Sequence, residues 1–200
     1  MIETEDHAGL RILRIARPDK AGALTPDMLG ALAQGVRTAP GTAIILTGTG
    51  KVFSAGADLD AARAGLATSP LWEELSGEIA RFPGLTIAAL NGTVAGGAMG
   101  MVLACDLRIA AQGAKLFYPV MRLGFLPQPS DPVRLRRLAG PGLAARILLA
   151  GEKVPVEDAP GLIDVVLPVS EVMPRAREMC AAVEAAKPGH AAAIKDMLRL

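Results

Sequence analysis

Two stretches of small residues, 52–59 (VFSAGADL) and 94–100 (VAGGAMG), are where this chain could do chemistry with its own backbone. The second lies inside 86–127, the segment around which the rest of the chain is arranged. It opens with an apolar run at 86–90, short enough to be a buried strand, then the turn signal Asn91-Gly92, then a helix after the glycines. No side chain in 94–100 is larger than Val or Met, so a ligand or another stretch of chain can approach the backbone. A helix starting there leaves amide N–H groups without intrahelical acceptors, at the positive end of the helix dipole. Such donors hold an anion or a polarised carbonyl oxygen, which is the chemistry of an oxyanion hole. In the first stretch a strand again runs into small residues, with Ala55, Gly56 and Ala57 leaving backbone open to a ligand and Asp58 placed to cap the next turn of chain. Small residues at a helix start equally suit tight packing against a strand, so either stretch alone is ambiguous.

The elements that must position these turns alternate along the chain. Residues 10–16 read as an early strand, and Thr25-Pro26-Asp27 opens a helix with Thr25 as N-cap and Pro26 in the first helical position. Met28, Leu29, Leu32 and Val36 supply its apolar stripe to about Arg37. Residues 42–47 (TAIILT) form a second buried strand, suited to the middle of a sheet. The spacing predicts a helix over 70–81, with Leu71, Leu75 and Ile79 on one face and Glu73, Glu74 and Glu78 on the other. Helices at 133–138 and 142–149 flank Gly140-Pro141, a short strand covers 164–168, and further helices occupy about 171–186 and 190–200. Strands alternating with helices favour an α/β fold with parallel pairing.

Composition narrows the partners. The length of 200 residues fits a single domain, 1–200, with a core over about 1–140 and a mainly helical part over about 141–200. Hydrophobic residues make up 51% but aromatics only 3%, so Ala, Leu, Val, Ile and Met must build the core. A net charge of +1 without a basic block argues against nucleic acid or an anionic membrane surface as partner. Cys105 and Cys180 lack any CxxC or Cys/His spacing, so buried thiols are expected and no metal site. No N-terminal basic-plus-apolar segment and no run near the roughly 20 apolar residues needed to span a bilayer is present, which leads to the expectation of a cytoplasmic protein.

Taken in order, several motifs resemble the crotonase superfamily, the enoyl-CoA hydratase/isomerase family. They are Arg17-Pro18-Asp19-Lys20 with Ala23-Leu24-Thr25, Phe53-Ser54-Ala55-Gly56-Ala57-Asp58-Leu59, Asn91-Gly92 with Ala95-Gly96-Gly97, Cys105-Asp106-Leu107-Arg108, and Leu123-Gly124 with Pro127. Leu148-Leu149-Ala150-Gly151 and Gly161-Leu162-Ile163-Asp164 extend the likeness over residues 10–200. Each motif is weak alone; their order and spacing are specific. The resemblance implies an α/β crotonase-like fold of repeated ββα units with a helical C-terminal portion. It implies trimers or hexamers, and an acyl-CoA as substrate or ligand with no permanently bound cofactor. One amide N–H from each signature would grip the thioester oxygen, here at Ala57 and Gly97. Ala21, Ala23, Leu24, Ala55, Gly56 and Asp58 would line the CoA channel.

The likeness breaks at two positions. The glutamates that act as acid and base in the family's hydratases correspond to Gly100 and Val120 here. Neither residue moves a proton, so hydration or isomerisation by the paired-glutamate route is not expected. Positions used by other relatives hold Pro127 and Gln128, which leaves Tyr118 and Asp131 as local replacements, with Glu73, Glu74 and Glu78 further away. The chain is also some fifty residues shorter than family members commonly are, which puts the trimer in question. There are two functional expectations: an acyl-CoA enzyme working without the glutamate pair, by decarboxylation, hydrolysis or Tyr/Asp-assisted proton transfer, or a non-catalytic acyl-CoA binder or accessory subunit.

Overall fold

The apolar runs become strands of two sheets, and the structure, a computed structural model, describes residues 1–198. The described strands are β1 (Ile2–His7), β2 (Leu10–Ile15), β3 (Ala43–Gly48), β4 (Val52–Ser54), β5 (Leu85–Leu90), β6 (Thr93–Ala95), β7 (Leu107–Ala111), β8 (Lys115–Phe117), β9 (Val154–Pro155) and β10 (Val165–Leu167). The helices are α1 (Pro26–Arg37), α2 (Leu59–Arg63), α3 (Leu71–Arg81), α4 (Ala98–Ala104), α5 (Val120–Leu123), α6 (Asp131–Leu148), α7 (Val169–Glu184) and α8 (His190–Leu198). The larger sheet runs β1-β2-β3-β5-β7-β10 and the smaller β4-β6-β8-β9. Consecutive strands therefore divide between the sheets, β3 and β4, β5 and β6, β7 and β8, and each pair leads into helix. This is the ββα repeat of an α/β crotonase-like fold.

The run AIILTG of β3 is buried along its whole length because it is covered on both faces. It pairs in parallel with β2 and β5, so Ile45 lies level with Ile12 and with Ile87. Leu13, Ile15, Ile44 and Leu46 face the apolar stripes of α1, α3 and α4, including Leu29, Leu32, Leu75, Ile79 and Met99. Ile12, Ile45, Ile87 and Ile109 face the other way, under Val172, Ala176 and Cys180 of α7. The alternation of strand side chains thus feeds two cores. Thr25 caps α1, accepting a hydrogen bond from the Met28 amide at 3.3 Å.

Three features depart from the sequence reading. The strand expected over 10–16 forms as β2, and a further strand, β1, precedes it. The β1 sequence IETEDH has no apolar alternation, and it is a strand because β2 pairs with it antiparallel, with Glu3 and Asp6 opposite Arg14 and Arg11. The segment after α4 adds β7 and β8, joined by a turn at Gly113, whose φ is 77°. The C-terminal part holds β9, which pairs with β8, besides the strand expected over 164–168, which forms as β10 and pairs with β7, so residues beyond 141 complete both sheets. The two expected helices around Gly140-Pro141 do form, as one run from Asp131 broken at Gly140, whose φ of 75° and ψ of 168° are not helical.

The helix expected over 190–200 is seen to Leu198; residues 199 and 200 lie outside the described residues. Lys195 ties α8 down, donating to Asp106 at 2.6 Å and to the Gly84 carbonyl at 3.0 Å. Both cysteines are buried, and burial pushes the Cys105 thiol up to about 12 and the Cys180 thiol up to about 11, so both are protonated at neutral pH. Among the described residues no helix is long and apolar enough to cross a membrane, and no group of His, Cys, Asp or Glu is placed to hold a metal ion.

Candidate active site

Parallel strands of the small sheet deliver the two small-residue turns to one place. β4 and β6 pair side by side, so the turns that leave them, 55–58 and 96–97, emerge together. Their backbones touch. Gly56 has φ +89°, and a Cβ there would stand 2.8 Å from the Ala95 carbonyl oxygen and 3.3 Å from Gly96 Cα. Glycine is therefore required at 56 both by conformation and by the neighbouring turn. Gly97 meets a different constraint: a Cβ would lie 2.8 Å from the indole of Trp72, which is itself fixed by Nε1–H donating to the Leu66 carbonyl at 2.8 Å.

The hydrogen bonds around Ala57 fix the direction of its amide. The Leu24 N–H donates to the Gly56 carbonyl and the Asp58 N–H to the Leu24 carbonyl, both at 2.8 Å. In that parallel bridge the N–H of Ala57 points away from Leu24. At the second turn the Gly96 N–H donates to the Phe117 carbonyl at 2.9 Å, and Gly97 is the N-cap of α4. Neither the Ala57 nor the Gly97 N–H has an acceptor among the described residues. Both residues line one cavity of about 360 Å³, together with Ala55, Trp72, Phe117, Tyr118 and Val120.

Tyr118 also lines the cavity, with Asp131 behind it. Tyr118 directly follows β8, is 4% exposed, and donates its hydroxyl to Asp131 Oδ2 at 2.9 Å. The Gln128 N–H donates to the same phenol oxygen at 3.3 Å. Asp131 opens α6, is 1% exposed, and its Oδ1 has no hydrogen-bond partner among the described residues. That oxygen sits over α4: a Cβ built on Gly100 would be 2.9 Å from it. The Asp131 carboxylate thus occupies the space that a side chain at position 100 would fill, delivered from α6 instead of α4.

Charge and burial set the character of this pair. Burial pushes the Asp131 carboxyl up to about 6; the Tyr118 hydrogen bond and Arg134 pull it down, while Glu73 pushes it up. The Tyr118 phenol is held well above its ordinary value, first by burial and then by the negative Asp131. Around them, Glu73 accepts from the Ser130 hydroxyl and, at 3.2 Å, from its amide, and Arg134 donates to Ser76 at 2.9 Å. Those contacts tie α3 to the start of α6 and leave Glu73 outside the cavity lining, as are Glu74, which pairs with Arg37, and Glu78.

Of the six residues expected along a CoA channel, Ala55 alone lines the cavity. Ala23, Leu24 and Gly56 are buried; Leu24 has 0% exposure and its side chain belongs to the core. Ala21 accepts from the Ala55 N–H at 2.9 Å in a loop zipped to β4, and Asp58 caps α2 while pairing with Arg17 at 2.9 Å. Through these contacts the loop at 21–24 and Asp58 hold the first turn in place. Trp72, Phe117 and Arg122 were missed as cavity residues; the indole beside Gly97 had no local signal, because contact between α3 and α4 brings it there.

The family model for enoyl-CoA hydratase/isomerase matches residues 5–200. YngF of Bacillus subtilis strain 168, whose name carries the same designation, is 35% identical over 192 residues, covering 90% of this chain and 74% of that protein. The crotonyl-CoA hydratase of Syntrophomonas wolfei is 32% identical over 187 residues, 88% of this chain and 72% of its own. Among solved structures, an enoyl-CoA hydratase from Bacillus anthracis superposes with a TM-score of 0.90 at 29% identity, covering 99% of this chain and 82% of that one. With fold, turn geometry and sequence all in agreement, the chain belongs to the enoyl-CoA hydratase/isomerase family.

Proposed function

We propose that this chain is an acyl-CoA enzyme that forms and protonates a thioester enolate, with Tyr118 and Asp131 moving the proton in place of a glutamate pair. The observation that carries the reading is convergence: two partnerless amides and a phenol backed by a buried carboxylate open on the same apolar cavity. The thioester oxygen sits between the Ala57 and Gly97 N–H groups. Charge developing on that oxygen is stabilised by donors already in position, each worth about 3 kcal/mol in comparable sites.

Tyr118 is the group that meets the carbon next to the thioester. Its phenol is too weak an acid to be ionised, so it works as a relay. The phenol oxygen takes the proton from carbon as its own hydroxyl proton passes to Asp131 Oδ2, and the electron pair of the broken C–H bond goes to the thioester oxygen. In the reverse direction a protonated Asp131 returns its proton to the phenol oxygen while the hydroxyl proton goes to carbon. An acid whose pKa lies near 6 suits both directions near neutrality.

The direct test is deuterium wash-in at the α-carbon of butyryl-CoA in D2O, read by mass spectrometry. Exchange lost in a Tyr118→Phe variant is expected; binding without exchange across a panel of acyl-CoAs would leave a non-catalytic binder instead. Hydration of crotonyl-CoA is expected to be negligible, because Gly100 and Val120 offer no carboxylate to activate water. Rapid hydration would sink the relay.

A further inference from the structure

Among the described residues, one charged side chain lines the cavity, and nothing nearby neutralises it. Arg122 of α5 stands with its guanidinium 5.6 Å from the centre of the Phe117 ring. Lys153, just before β9, holds its ammonium 4.9 Å from the same centre. Neither side chain makes an ion pair or hydrogen bond with another described residue. Most arginines here do: Arg11, Arg14, Arg17, Arg37, Arg63, Arg81, Arg108, Arg146, Arg175 and Arg177 all meet carboxylates. Both cations contact one aromatic ring, whose quadrupole supplies only part of what a counter-ion would. An anion at the ring edge would supply the missing counter-charge.

Strand order says which part of a ligand reaches them. The small sheet runs β4-β6-β8-β9. The Ala57 turn leaves β4 and the Gly97 turn leaves β6, while Phe117 ends β8 and Lys153 enters β9. The loop at 21–24 is zipped to the β4 side through the Ala55 N–H and the Ala21 carbonyl. The cations therefore lie across the amide pair from that loop. If the CoA portion leaves over 21–24, the acyl end points to Phe117. This step rests on the acyl-CoA reading of the site.

We propose that the acyl group accepted by this chain carries a carboxylate at its far end, bound by Arg122 and Lys153 at the edge of Phe117. The substrate class is then the CoA monothioesters of dicarboxylic acids. A carboxylate offers two oxygens to the planar guanidinium fork and a third contact to the ammonium.

The test is calorimetric binding to the full chain of succinyl-, glutaryl- and adipyl-CoA, each against the uncharged thioester of equal length, butyryl-, valeryl- and hexanoyl-CoA. At least one dicarboxylic member is expected to bind about tenfold more tightly than its mate. In an Arg122→Gln/Lys153→Gln variant that preference should vanish while the uncharged thioesters stay within about twofold of wild type. Both side chains are exposed, so the variant should melt with the wild type. The proposal falls if no dicarboxylic thioester is preferred. It also falls if the variant weakens free CoA and both members of each pair alike, which would put the cations on the CoA phosphates. If free CoA and every uncharged thioester fail to bind, the acyl-CoA reading itself is wrong and this inference falls with it.

Discussion

The two walls of the cavity are built by different means. The amide wall, at Ala57 and Gly97, is made of backbone from two turns at the ends of adjacent parallel strands. Its small residues are dictated by contact, Gly56 against Ala95 and Gly97 against Trp72. The proton wall, at Tyr118 and Asp131, is made of side chains from the end of β8 and the start of α6, thirteen residues apart in sequence and joined by one buried hydrogen bond. The first wall tolerates almost no change in residue size, since its shape is main chain. The second is made of side chains, and the proposed proton path asks only that a carboxylate reach the space above Gly100, as Asp131 does.

That contrast can be broken most forcefully at Gly56. A Gly56→Val change puts a β-branched residue at φ +89° and its Cβ 2.8 Å from a backbone oxygen. The two turns must then separate, with an expected cost of about 3–5 kcal/mol in stability and loss of acyl-CoA binding. An unchanged melting temperature with retained binding would show the turns are not coupled as described.

The proton wall should yield chemistry without yielding the fold. Tyr118→Phe and Asp131→Asn should each lower α-carbon exchange by about 10²-fold and change butyryl-CoA affinity little. The double variant should be no worse than the poorer single one, because both act on one proton path. Additive losses would separate the two residues.

Titration probes the same wall through its charge. With its carboxyl raised to about 6, Asp131 stabilises the fold in its protonated form, fully below the unfolded-state value, and that contribution is lost as pH rises through 6. Relative to wild type, Asp131→Asn should therefore gain about 3 kcal/mol of stability between pH 4 and pH 8, measured by denaturant unfolding at each pH. A gain in the opposite direction would mean the carboxylate is stabilised by a partner. Proton abstraction by the wild type should rise through about pH 6 for the same reason.

The smallest effects come from the flanking charges. Removing the positive charge in Arg134→Met should move the midpoint of that rise up, and removing the negative one in Glu73→Gln should move it down, each by a few tenths of a pH unit. Shifts of the same sign would rule out a through-space charge effect.

Local chemistry made much of this legible in advance. Thr25-Pro26 marked the start of α1, the runs at 42–47 and 86–90 became β3 and β5, and Gly140-Pro141 marked the break in α6. What escaped were elements whose partners create them. β1 is a polar strand held by β2, and β9 is two residues long and exists through pairing with β8, whereas the strand expected over 164–168 is β10. Trp72 likewise reached the cavity through helix packing, a contact no spacing within 70–81 could announce.

The sequence by itself determined where the backbone could approach a ligand, because only Gly and Ala leave a main-chain amide uncovered. It also determined that positions 100 and 120 bear no acid. Only the tertiary structure decided which carboxylate lies over position 100. Asp131 and Gly100 lie thirty-one positions apart, and the packing of α6 against α4 alone brings that carboxylate over that glycine. Its raised pKa is likewise a property of burial, which no residue carries in its own side chain.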